Sequence, residues 1–143
     1  MVKNGKKIKI KSNLNYNSYI GTINNKNPKS VYFVISAWGK PNYDDEINYK
    51  SVISKLNKKI KTCLYNNLDE SLFNNKFIVD FDMRYSGISK GKKSFMSCEV
   101  NLYKNNTFGI NDKRIKSELE SIINIIIDEV FDKSEDFNFT PKK

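Results

Sequence analysis

The chain has 143 residues, of which 38% are hydrophobic, 29% charged and 13% aromatic, a composition too apolar and too aromatic for a disordered chain and the size of one domain with one core. Twenty-five basic residues against sixteen acidic ones give a formal net charge of +9, and the first thirty residues hold seven of the lysines and no Asp or Glu. There is no histidine, which removes the usual general base near neutral pH, the Ser-His and Cys-His nucleophile pairs and nearly all imidazole-based zinc and iron sites.

Lys7 to Lys11 alternate lysine with isoleucine, the period of a half-exposed strand with Ile8 and Ile10 on one face and a lysine face that protects an edge. From Ser12 to Ser30 the chain is dominated by Asn, Ser, Gly and Pro and reads as a long loop or loose hairpin. Val31 to Trp38, VYFVISAW, is apolar on both faces and rich in β-branched and aromatic residues, as a central strand is. Gly39, Lys40 and Pro41 end it.

Asp44, Asp45 and Glu46 put negative charge where a helix begins, and Tyr49, Val52, Ile53, Leu56, Ile60, Cys63 and Leu64 follow at helical spacing. Lysines at 50, 55, 58, 59 and 61 fill the remaining positions. Phe77 to Met83 and Met96 to Leu102 each alternate apolar with polar residues, two strands of a hairpin whose connection, Tyr85 to Lys93, is expected to project as a basic loop. Asn111 or Asp112 caps a last helix with an aliphatic stripe from Ile115 to Phe131.

These elements predict a single α+β domain over residues 1–131, a two-layer fold of order β-β-α-β-β-α with a four-stranded antiparallel sheet and both helices on one face. Residues 132–143 are expected to be a frayed C-terminal tail, with Phe137 and Phe139 the candidates for docking. That order is a circular permutation of the ferredoxin-like β-α-β-β-α-β arrangement, a likeness of topology that carries no function. No stretch is long and apolar enough to cross a bilayer, and the start lacks the apolar segment of a secretory signal, so a cytoplasmic, reducing location without membrane contact is expected. Cys63 and Cys98 sit in apolar patterns and read as small buried hydrophobes, not as a disulfide.

The leading expectation for function is a small non-catalytic nucleic-acid-binding accessory protein, for DNA or RNA, with no cofactor and no resident metal. The candidate contacts are Lys7, Lys9 and Lys11 on the first strand, Arg84, Lys90, Lys92 and Lys93 around the hairpin tip, and Tyr16 and Tyr19, whose rings would stack bases while lysines take phosphates. Lys55, Lys58, Lys59 and Lys61 cluster within two helical turns and would serve a helix laid along a backbone. Arg84 and Arg114 are the only arginines, so sequence selectivity should be weak: lysine supplies a point charge where arginine supplies a fork for guanine. An AT-rich coding sequence would also inflate lysine and asparagine, which discounts the charge as an argument.

Two other classes compete. One is a viral-type structural or protein-interaction subunit that docks a partner through its sheet face or its Phe137/Phe139 tail. The other is a Mg²⁺-dependent nuclease, because Asp80, Asp82 and Glu99 fall on neighbouring strands as hard oxygen ligands would. The element order there is similar to the core of nucleases with a PD-(D/E)xK motif, but Asn101 stands where that family has its lysine and no proline precedes the aspartate.

Overall fold

A computed structural model of the chain describes residues 7–12, 16–22, 29–41, 46–85, 94–135 and 137–139. In chain order they form β1 (Lys7–Ser12), β2 (Tyr16–Thr22), β3 (Ser30–Pro41), α1 (Glu46–Asn67), β4 (Phe73–Tyr85), β5 (Ser94–Lys104), α2 (Lys113–Ile126) with a π-helical turn directly after it (Ile127–Phe131), and β6 (Phe137–Phe139). The sheet runs β1-β2-β3-β5-β4 with every neighbouring pair antiparallel, and β6 pairs with β3.

The α+β class, the antiparallel sheet and the two helices are as expected, but the expected four strands become five, in the order β-β-β-α-β-β-α, with the short β6 beside them. The additional strand is β2, inside the segment expected to be a loop. Its Asn and Ser content disfavours a strand locally, yet Tyr16, Ser18 and Ile20 are buried while Asn17 is exposed, so the segment presents one face to the core. Burial against β3 overrides a weak intrinsic preference. Within the segment expected to be a tail, the docking candidates Phe137 and Phe139 belong to a short strand opposite Pro41–Gly39. Gly39 already faces Ser94 of β5, so β6 lies on the other side of β3, in line with β2, whose pairing stops at Tyr16 opposite Ala37.

One face of the sheet carries the core. Val31, Phe33, Ile35 and Ala37 of β3, Ile20 of β2, Val79 of β4 and Met96, Cys98, Val100 and Leu102 of β5 form one cluster with Val52, Leu56, Ile60 and Leu64 of α1 and Ile115, Leu119, Ile122 and Ile126 of α2. Each Val, Leu, Ile, Phe or Met side chain among them, fully buried, contributes about 1.5–3 kcal/mol relative to exposure. The strict alternation of β1 is broken by a register shift between Lys9 and Lys11; Ile8 packs against the core, and Lys11 rather than Ile10 stands opposite Ser18.

Asp112 is the cap of α2, its side chain accepting from the Arg114 backbone N–H. The π turn has a sequence cause. Buried residues recur every four positions, at 119, 123, 127 and 131 and at 122, 126 and 130, and in an α-helix of 3.6 residues per turn each such step drifts by about 40°. A turn closed by i→i+5 bonding, as in Asp132 N–H to Ile127 O, is wider and brings Val130 and Phe131 back over the sheet. No described helix is long and apolar enough to cross a membrane.

Candidate functional site

Register places the sheet face opposite the helices in rows. Lys9, Tyr19, Val34, Glu99 and Asp80 follow one another across β1, β2, β3, β5 and β4. The neighbouring row is Gly21, Tyr32, Asn101 and Ile78. Tyr19 meets Tyr32 edge to face at 6.2 Å between ring centroids, and Trp38 meets Phe95 at 5.4 Å. The centre of this face is therefore aromatic and largely shut off from solvent, with Tyr32, Val34 and Asn101 all buried; its β4 side carries Asp80, Asp82 and Glu99, and described lysines stand only at its margins, as Lys9 and Lys40 do. It is neither uniformly apolar nor lysine-lined.

The nine residues expected to contact nucleic acid separate accordingly. Lys9 and Tyr19 are cross-strand partners on the face opposite the helices. Tyr16 is on the opposite face, in the core and 4% exposed, stacked on Phe131 at 5.9 Å with its hydroxyl donating to Asp132 Oδ1 at 2.5 Å. Its ring is thus occupied by the protein itself, and burial, reinforced by Asp132, pushes its phenol well above the usual range. Lys7 and Lys11 belong to β1 and Arg84 to β4, opposite Phe95, by their backbones alone. Lys90, Lys92 and Lys93 lie outside the described residues.

The concentrated basic surface is on the other layer. Between positions 47 and 67, α1 contains five lysines and no carboxylate, and Lys50, Lys55, Lys58, Lys59 and Lys61 are all exposed. Helical spacing turns 55, 59, 62 and 66 toward the π turn, where the two elements leave a groove of about 560 Å³. Lys55, Lys58, Lys59 and Lys133 rim it, Cys63 and Val130 are buried along it, and among the described residues Glu129 is its one carboxylate. Asn67 Nδ2 donates to the Cys63 carbonyl at 2.8 Å and fixes the end of α1 beside it.

Four ammonium groups against one carboxylate form a local positive field suited to phosphate-bearing chains. Burial, with the Glu129 charge adding to it, pushes the Cys63 thiol up, so the sulfur is a neutral part of the groove and no nucleophile. Lys55, Lys58 and Lys59 are legible as a cluster from their spacing, whereas Lys133 falls in the segment expected to be a tail. Its signal is the four-residue aliphatic period, which carries the helical turns to Phe131, two residues before it.

Asp80 and Glu99 are register partners, and Asp82 stands opposite Ser97. Among the described residues, however, no group of three or more His, Cys, Asp or Glu side chains is arranged to hold a metal ion. Compared with family models, curated proteins and solved structures, the chain matches none of them.

Proposed function

We propose that the protein binds nucleic acid without acting on it chemically, through the lysine surface of α1 and the groove that α1 forms with the π turn. The observation that carries this reading is the convergence of Lys55, Lys58, Lys59 and Lys133, from two stretches of chain more than seventy residues apart, on one groove with a single carboxylate among its described lining residues. Lysines that merely solubilise a surface are interspersed with acids; those of α1 are not. Lys9 and Tyr19 supply a second, smaller contact on the opposite face, and the scarcity of arginine makes the binding weakly selective.

The test is fluorescence anisotropy with labelled oligonucleotides across a salt series. A steep fall of affinity with salt is expected, and changing Lys55, Lys58, Lys59 and Lys133 together to Gln should flatten the log-log slope by about one for each phosphate that is no longer neutralised. An unchanged slope would move the site elsewhere on the molecule, and no binding at low salt would end the reading.

A second reading, a protein partner at the β4 edge of the sheet, has its own support. Ile78 is 51% exposed on the edge strand β4. Ile78→Lys would abolish capture of such a partner and leave oligonucleotide affinity unchanged.

A further inference from the structure

Ser51, Ser54, Lys58, Lys61 and Tyr65 recur at alternating steps of three and four along α1, so they form one straight stripe on the helix, and all five are exposed. Among the described residues Tyr65, at 66%, is more exposed than the other large exposed hydrophobics, Ile78 at 51% and Phe108 at 41%. Phe108 is explained by the Arg114 guanidinium, which lies 4.4 Å from its ring centroid. Tyr65 instead follows Lys58 and Lys61 on the outward stripe, and Lys58 also rims the groove.

We infer that α1 takes single-stranded in preference to double-stranded nucleic acid, with Tyr65 as the platform on which an unpaired base stacks. The inference rests on the polyanion reading above and specifies its ligand. Lysines alone do not distinguish a single strand from a duplex, since both offer phosphates. An exposed ring does, because only an unpaired base presents a free face to it, and stacking of this kind is tolerant of sequence. Lys58 and Lys61, seven and four residues before Tyr65 on the same stripe, are placed to hold the phosphates that flank the stacked nucleotide.

The experiment measures anisotropy of labelled oligo-dT, oligo-rU and a mixed-sequence duplex against wild type, Tyr65→Leu, Tyr65→Phe and Lys58→Gln/Lys61→Gln. Tyr65→Leu should weaken binding of both single strands by roughly five- to a hundredfold and leave the duplex unchanged. Tyr65→Phe should restore single-strand binding, and the lysine double variant should weaken all three ligands. Position 65 is exposed, so leucine leaves the fold intact, which circular dichroism checks. If Tyr65→Leu weakens none of the ligands, or weakens duplex and single strand alike, stacking is overturned while the polyanion reading stands. If wild type binds none of the three at low salt, both fall.

Discussion

Tyr16 and Asp132 are 116 positions apart, yet the Tyr16 hydroxyl donates to Asp132 Oδ1 at 2.5 Å while its ring stacks on the adjacent Phe131. The contact ties β2, a strand built from an Asn-rich segment, to the end of the π turn, and the groove is formed at the same turn.

Tyr16→Phe keeps the stacking and removes the hydrogen bond to a charged acceptor, so it should cost about 1–2 kcal/mol. Tyr16→Ala removes both and should cost about 3–5 kcal/mol. Burial first, then Asp132, raises the phenol above its usual value of 10.0, so the folded state keeps the proton that the unfolded chain releases above that pH. The Tyr16 contribution is therefore fully present below pH 10 and declines as pH rises further. Urea midpoints of wild type and Tyr16→Phe should differ by a constant amount up to about pH 9 and converge above pH 10. A difference that grows with alkaline pH would contradict the geometry.

Why β2 is not legible in the sequence follows from the same contact. Its strand character comes from Val31 to Ala37 pairing beside it and from Phe131 far along the chain, neither of which a local window contains. The β4–β5 hairpin is legible because Phe77, Val79 and Phe81 carry a period of two on their own, and α2 because Ile115 to Ile126 carry a helical period. The groove is half legible. Helical arithmetic gathers Lys55, Lys58 and Lys59, but bringing Lys133 to them requires the π turn, and the stripe ending at Tyr65 becomes informative only once that ring is found to be exposed.

Gly21 is required by a close approach. It stands directly opposite Tyr32, and a Cβ at position 21 would lie 2.6–2.8 Å from the Tyr32 hydroxyl and ring. Tyr32 is only 1% exposed and its ring contacts Tyr19, so it has little room to withdraw. Gly21→Ala should cost about 1–3 kcal/mol. Combined with Tyr32→Val, which empties the contested volume, the loss should be smaller than the sum of the two single losses in a double-mutant cycle; strict additivity would mean that the clash is absent.

Asn57 guards the sheet edge. From α1 its Nδ2 donates to the carbonyl of Val79 at 3.1 Å, on β4, the last strand of the sheet. An edge strand with an open carbonyl and a half-exposed Ile78 is a template for pairing with another chain. Asn57→Ala should cost about 0.5–1.5 kcal/mol in chemical denaturation. It should also raise light scattering on prolonged incubation at high protein concentration, and Ile78→Lys in the same chain should suppress that increase. Reduced stability without association would limit Asn57 to a packing role.

Lys104 is buried at the end of β5, 1% exposed, with Nζ donating to the Phe108 carbonyl. Burial lowers its tendency to hold a proton, and the Asp112 charge opposes that effect. Lys104→Met removes a buried ammonium and also the donor to Phe108; the two effects oppose each other, so the variant should remain within about 1 kcal/mol of wild type at neutral pH. Lys104→Ala also removes the packed aliphatic stem and should cost about 2–5 kcal/mol. Because the folded-state value lies below the usual 10.5, the unfolded chain binds more protons between the two, and wild type gains stability relative to Lys104→Met as pH rises through that window. Urea midpoints at pH 7 and at a pH above 10.5 should show Lys104→Met losing ground at the higher pH, whereas an unchanged difference would mean that the ammonium is as well solvated in the fold as in the unfolded chain.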